Sequence, residues 1–248
     1  MSQPRDPVDP GVLDEQLAYY RARAPEYDDW FERRGRFDRG SAPTEVWHRE
    51  TAQVRSWLGT LELAGKDVLE LAAGTGIWTA ELLAEGASVT AVDAASEMLD
   101  RLRRRVAGHP LKAIEADLYV WRPQRMFDAV VSCFFMSHVP DERFEWFLSL
   151  LASSIREGGS VFLLDSARTE LSTAADHDLP RDADQTMRRR LDDGRTFTIV
   201  KRFRADDEIA EACSRHGLSV EVRRTPEYFQ VVSGVRVGSD GDWPRNVS

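Results

Sequence analysis

From Asp67 onward the chain alternates short apolar runs with stretches of helical spacing, and that alternation leaves few folds open. The runs are Val68–Leu71, Ser88–Val92, Leu111–Ile114, Phe127–Cys133 and Ser160–Leu164. Runs of that length separated by helix-length segments form a parallel sheet with crossover helices. The clearest helix lies before the last run, where Phe144, Phe147, Leu148, Leu151 and Ile155 follow helical spacing and Gly158–Gly159 closes it. Beyond the fifth run, residues 167–194 are polar and irregular. A strand over Thr196–Phe203, a helix over Asp206–His216 and a hairpin over Ser219–Val237 turning near Pro226 follow. The MRRRL segment inside the irregular stretch reads as the solvated face of a helix in preference to an anion site.

Upstream, Leu13 to Phe37 is rich in aromatics and arginine and predicts one or two short helices broken at Pro25. A further helix over Thr44–Leu58 places Trp47, Val54, Trp57 and Leu58 on one face, suited to docking on a sheet. The expected organisation is a disordered N-terminus over 1–10, a helical lid over 11–58, a core of alternating strands and helices over 59–166, a cover with closing strands over 167–237, and a disordered tail over 238–248. With 248 residues, 42% of them hydrophobic, the chain can fill a substantial core. Its formal charge of −9 gives no footprint for a polyanion, so neither nucleic acid nor an anionic membrane is expected as a partner. Cys133 and Cys213 fall in an expected strand and helix, with no disulfide framework and no metal-ligand spacing. The sequence shows no secretory h-region and no apolar stretch of spanning length, so the expected location is the cytoplasm.

The strand VLEL runs into AAGTG and then a helix. Glycines at such a turn let the backbone bend sharply and approach a ligand. A dinucleotide loop needs a third small residue where helix packs on strand, and that place holds Ile77 in one register and Thr79 in the other. The pyrophosphate reading therefore fails. The spacing is acid-x-small-x-Gly-x-Gly, from Glu70 through Ala72 and Gly74 to Gly76. The second strand ends in Asp93, where a carboxylate can grip a ribose diol, and the third ends in Ala116-Asp117-Leu118. The fourth reads FDAVVSCFFMSHVP, and REGGSVFLL carries the fifth.

With these motifs in this order, the chain resembles the class I S-adenosylmethionine-dependent methyltransferases of small-molecule type. Ala72 departs from the first glycine usual in that family. The resemblance implies a Rossmann-like, seven-stranded, mostly parallel α/β sheet with helices on both faces, a C-terminal antiparallel hairpin and an N-terminal helical lid. It also implies S-adenosylmethionine as cofactor, leaving as S-adenosylhomocysteine. The cofactor contacts it implies are Tyr27, Glu70, Ala72, Gly74, Thr75, Gly76, Trp78, Asp93, Ala94, Met98, Ala116, Asp117, Leu118 and Ser132. All lie at or near the carboxyl ends of the expected strands or in the lid.

Methyl transfer from a sulfonium is an in-line displacement, so the protein mainly aligns the acceptor and excludes water. For a hydroxyl acceptor, His138 is the candidate general base, against the alternative of an imidazole that only shapes the loop before Pro140. Tyr19, Tyr20, Arg23, Phe134, Phe135 and Met136 are the candidate substrate contacts: aromatics for a wall and an arginine for a carboxylate. The expected acceptor is an oxygen, before nitrogen or carbon, of a small metabolite or secondary metabolite. No metal is expected, and a monomer or a homodimer is compatible with the lid aromatics. The competing readings are the same fold running a non-methylating reaction on the same cofactor, and a non-catalytic binding protein.

Overall fold

The computed structural model describes residues 7–238. Residues 1–6 and most of the expected tail, from 239 on, lie outside them. Order begins earlier than expected: Asp9 accepts a hydrogen bond from the Gly11 amide (2.8 Å), and Pro10 opens the first helix, α1 (Pro10–Arg23). Pro25 ends it. A 3₁₀ turn leads into the short α2 (Tyr27–Phe31), and α3 (Ser41–Gly59) follows.

The core strands and helices then alternate as β1 (Asp67–Leu71), α4 (Ile77–Ala84), β2 (Ser88–Asp93), α5 (Ser96–Arg105), β3 (Leu111–Glu115), β4 (Phe127–Cys133), α6 (Asp141–Ser154) and β5 (Ile155–Ser166). The remaining elements are β6 (Thr186–Arg190), β7 (Thr196–Val200), α7 (Asp206–Arg215), β8 (Leu218–Arg224) and β9 (Phe229–Arg236). Seven strands form one sheet in the order β3-β2-β1-β4-β5-β9-β8, with β9 antiparallel to both β5 and β8. This is the expected Rossmann-like sheet with its closing hairpin.

Alternate strand residues supply the two halves of the core. Val68, Ala91, Val131 and Phe162 face α3, α4 and α5 through Trp47, Val54, Leu82 and Leu99. Leu69, Val92, Val130 and Leu163 face α6 and α7 through Phe147, Leu151 and Ile209. Strands buried on both faces explain why the sequence shows continuous apolar runs there and not alternation. Cys133 and Cys213 are free and buried.

Two expectations are corrected. The helix before the fifth strand stops at Ser154, and the strand assignment begins at once at Ile155, with a register shift against β4 between Phe127 and Ala129. Gly158–Gly159 therefore lies inside the strand segment and does not cap the helix. The stretch over 167–194 is not wholly irregular, and MRRRL is no helix: Thr186–Arg190 is a strand that pairs antiparallel with β7 as a separate two-stranded ribbon. Met187 is buried and Arg189 half-buried on one face, while Arg188 and Arg190 point out. The ribbon packs on α1, with Tyr19 buried among Leu191, Ile199 and Phe197.

Candidate functional site

The loop after β1 has left-handed backbone at Ala72 (φ 56°), Gly74 (φ 57°) and Gly76 (φ 82°). At Ala72 that conformation costs a non-glycine residue about 1 kcal/mol, the physical reason a glycine is usual there. A Cβ on Gly74 would meet only Tyr27, at 4.0 Å, so the space over the loop is open to a ligand. A Cβ on Gly76 would lie 2.7 Å from Leu102 Cγ and 3.0 Å from Leu102 Cα, so that glycine serves the packing of the loop on α5.

Two carboxyl groups stand over the loop. Asp93 accepts from the Gly74 amide (2.8 Å) and from the Ala95 amide (2.9 Å). Burial pushes its pKa up, opposed by those backbone bonds. Glu70 is 1% exposed and accepts from the Thr79 hydroxyl (2.6 Å); burial lifts its pKa to about 8. Beside it the Trp78 Nε1–H is buried with no partner.

The carboxyl ends of the strands open into a cavity of about 400 Å³. Its walls include Ala72, Gly74, Asp93, Ala94, Met98, Asp117 and Leu118, with Asp14 and Leu17 of α1 across from them. A smaller recess over Glu70, Thr75 and Trp78 adjoins it through Tyr27, Ala72 and Phe134. A third, tight cavity of about 30 Å³ lies behind Tyr20, Tyr27, Phe134 and His138, which line it and the large cavity alike. The two sides differ in charge. The large cavity has three acidic side chains in its lining, Asp14, Asp93 and Asp117, against Arg143; the third has Arg23, Arg189 and Lys201 and no carboxylate.

His138 sits in the dividing wall on a 3₁₀ turn after β4. Its Nδ1 lies 2.6 Å from the Val200 carbonyl, which can only accept, so Nδ1 carries the proton. Nε2 is then the acceptor, and the Tyr20 hydroxyl donates to it at 2.8 Å. Burial, with the Lys201 ammonium nearby, holds the imidazole neutral and far below its ordinary pKa. Lys201 is itself tied to Asp165 (3.4 Å) and the Ser137 hydroxyl (2.7 Å). Asp165 also accepts from the Ser137 amide and hydroxyl (2.7 Å each) and from its neighbour Ser166 (2.8 Å). Phe134, in left-handed backbone at φ 60°, turns its ring edge-on to Trp30 with centroids 4.7 Å apart.

Methyltransferase domains match residues 68–159 at the level of the family. A solved structure described as a DhpI–SAH complex is 33% identical, covers 93% of this chain and 99% of its own, and superposes with a TM-score of 0.72. The chain belongs to the class I S-adenosylmethionine-dependent methyltransferases. Among curated relatives, the cypemycin N-terminal methyltransferase of a Streptomyces species is 33% identical over 104 residues, 41% of this chain and 42% of the relative. The demethylmenaquinone methyltransferase of Clavibacter sepedonicus is 31% identical over 131 residues, 52% of this chain and 53% of the relative. The chain thus spans about half the length of the curated relatives it matches.

S-adenosylmethionine is the cofactor of the methyltransferase: the similar DhpI structures are described as complexes with it or with S-adenosylhomocysteine. The pocket suits that molecule. Acidic side chains line the large cavity and Glu70 the recess, fitting a ligand that carries an ammonium, a ribose diol, an exocyclic amine and a sulfonium.

The methyltransferase brings most of the expected residues together and leaves some apart. Tyr20, Tyr27, Ala72, Gly74, Asp93, Ala94, Met98, Asp117, Leu118, Phe134, Phe135 and His138 share the large cavity, Glu70, Thr75 and Trp78 the recess, and Arg23 the cationic cavity. Ser132 donates to the Leu71 carbonyl beneath the sheet ends (3.0 Å), and Met136 is buried in the core on the α6 side. Tyr19 faces the ribbon, since adjacent helix residues point about 100° apart. Neither Gly76 nor Ala116 lines a described cavity. Arg189 and Lys201 line the cationic cavity and were not among the expected contacts, since the arginines of TMRRR break the apolar alternation that would mark a strand there.

Proposed function

We propose that the enzyme transfers the methyl group to an oxygen atom of a small molecule bound behind Tyr20 and His138. The observation that carries this is the lining of the third cavity, with three basic side chains and no carboxylate. An amine acceptor arrives in neutral water as an ammonium, and such a lining repels it. An oxygen nucleophile meets hydroxyl, imidazole and guanidinium groups. The similar DhpI has also been solved as a DhpI–SAM–HEP complex, with the cofactor and a further molecule present together, in keeping with a two-ligand site.

In this reading Glu70 and the recess hold the amino-acid end of the cofactor, Asp93 the ribose and Asp117 the adenine. The cofactor supplies an activated methyl on a sulfonium. The chain's own residues orient the acceptor, with Tyr27 and Phe134 walling out water and the Tyr20–His138 pair offering a hydrogen bond at the divide. Incubation with methyl-labelled cofactor and a panel of acids, alcohols, phenols and amines tests the reading. Label is expected on oxygen, read by mass spectrometry and carbon NMR of the product; label on nitrogen or carbon overturns it.

Asp93→Ala removes a proposed ribose acceptor and leaves the Gly74 amide without its partner. Cofactor affinity is expected to fall by about 1–3 kcal/mol. Calorimetric titration with S-adenosylhomocysteine measures it, and unchanged affinity takes Asp93 out of the site.

A further inference from the structure

Arg23 is an unusual group to bury. It is 6% exposed, its Nε has no partner, and no hydrogen bond or ion pair reaches its guanidinium among the described residues. Its neighbours are the ring faces of Tyr19, Tyr27 and Phe37, at 5.5, 4.9 and 5.6 Å to the centroids. Rings offset part of the desolvation cost of a cation but accept none of its five N–H bonds well.

Arg189 lines the same cavity with a similar shortage of acceptors. Its Nε is also buried without a partner, and Nη1 donates to the Thr173 hydroxyl. Its other neighbour, His177 Nδ1 at 3.1 Å, does not help. The Arg190 amide donates to His177 Nε2 (2.9 Å), so the neutral ring keeps its proton on Nδ1 and presents a donor to a donor. The third cation, Lys201, is already neutralised by Asp165. The rings and the Glu26 carboxylate favour the Arg23 charge, but both guanidinium groups face the cavity with N–H donors to spare, and buried donors left without acceptors are costly enough to need a reason.

We propose that the methyl acceptor is a small oxyanion whose charged group is held by Arg23 and Arg189 and is itself methylated. The proposal rests on the oxygen reading above and names its substrate class. An anion supplies the acceptors that both guanidinium groups lack, in the planar fork geometry that suits carboxylates and phosphorus oxyanions alike. It also answers a difficulty with a neutral alcohol. His138 is buried with Nε2 already taken by Tyr20, so it is a poor base for stripping a hydroxyl proton. An oxyanion brings its own lone pair: the new O–C bond forms as the methyl–sulfur bond breaks, the bonding pair stays on sulfur, and no proton moves. The negative acceptor and positive sulfonium cancel. The products are a methyl ester and a neutral thioether, and the ester has one negative charge fewer with which to hold the two arginines. Release follows from the same contacts that gave binding.

The test is calorimetric titration of the protein loaded with S-adenosylhomocysteine, at low ionic strength, using acetate and methylphosphonate as separate probes. Saturable binding of at least one is expected. It should weaken tenfold or more in Arg23→Gln and in Arg189→Gln, recover in part in Arg23→Lys, and leave S-adenosylhomocysteine affinity unchanged. Tighter binding of methylphosphonate assigns a phosphorus oxyanion, and tighter binding of acetate a carboxylate. Wild-type protein that binds S-adenosylhomocysteine but neither probe overturns the proposal, with the oxygen reading still open. Arginine variants that bind the probes as well as wild type overturn it too. Arg189 stands on the two-stranded ribbon, outside the seven-stranded sheet, so its variant tests the site even where Arg23→Gln fails to fold. Probe binding with label found on nitrogen or carbon removes the oxygen reading and the oxyanion as nucleophile together.

Discussion

Lys201→Met is expected to lower the unfolding free energy at neutral pH by about 3–5 kcal/mol, because it leaves Asp165 charged and buried without its counter-ion. Both partners are almost wholly inside, Asp165 at 1% and Lys201 at 5% exposure. Methionine keeps the length of the stem, so packing loss is small and the change reads out the charge. For a chain of this size the loss corresponds to a melting temperature roughly 6–20 °C lower. The pH dependence identifies the cause. In the native protein, burial opposes ionisation of Asp165, but Lys201 and the Ser137 bonds outweigh it and hold the pKa below the ordinary range. That stability is present above the unfolded pKa and is lost as pH falls through the folded one. Without the ammonium, burial prevails and the folded pKa rises, so the variant's deficit is greatest at neutral pH and narrows toward about pH 4 as the carboxyl takes up a proton. Adding Asp165→Asn should recover a large part of the loss. A deficit that is equal at all pH values, or smaller than about 1 kcal/mol, rules out a buried pair of consequence.

Glu70→Gln is expected to stabilise the cofactor-free protein at about pH 8 by up to roughly 4 kcal/mol, a large gain for a single oxygen-to-nitrogen change. The Glu70 pKa lies at about 8 in the folded chain, raised mainly by burial, lowered by the Thr79 bond and raised further by Asp93. The unfolded chain releases that proton near an ordinary carboxyl value, so between the two the native state binds more protons and stability falls as pH rises. Glutamine carries no proton to lose and removes that slope. Denaturant titrations at about pH 5 and pH 8 of both proteins measure it; parallel profiles would mean that Glu70 titrates like a solvated acid. Cofactor binding adds a second readout. If Glu70 ionises to meet the ammonium of the cofactor, binding near pH 7 releases up to about one proton. Calorimetry in buffers of different ionisation enthalpy counts it, and Glu70→Gln should abolish the release.

Much of the lining of the large cavity and its recess was legible in the sequence because strand ends and glycine loops are local. Glu70, Gly74, Asp93 and Asp117 each follow an apolar run within a few residues, and the sheet then sets the runs side by side. The cationic cavity was harder to read, since it is assembled from Arg23, Arg189 and Lys201, far apart in the chain and on three different elements. The ribbon strand was hidden by the same chemistry. In Thr186–Arg190 the inward positions hold Met187 and Arg189, and an inward arginine erases the apolar alternation that marks a strand. Gly76 and Ser132 are motif positions that the structure shows in packing and in a backbone hydrogen bond. His138 was legible as a residue of the site, but not its occupied Nε2 or its lowered basicity, which depend on Tyr20 from the lid and Val200 from the ribbon.

The lid and the cover are tied to each other largely through main-chain carbonyls. The Trp30 indole donates to the Ser172 carbonyl (2.6 Å), Arg33 to Leu171 (2.5 Å) and Arg36 to Arg190 (2.5 Å), while Gln16 accepts from the Val200 amide (3.0 Å). Backbone groups are present whatever side chain a position carries, so these ties hold the two segments in register while the side chains that line the third cavity remain free to vary. A chimera that takes the first 40 or so residues from a relative and keeps the native cover retains the carbonyls but loses the donors shaped to meet them. Exchanging both segments together keeps donors and carbonyls matched on an unchanged sheet.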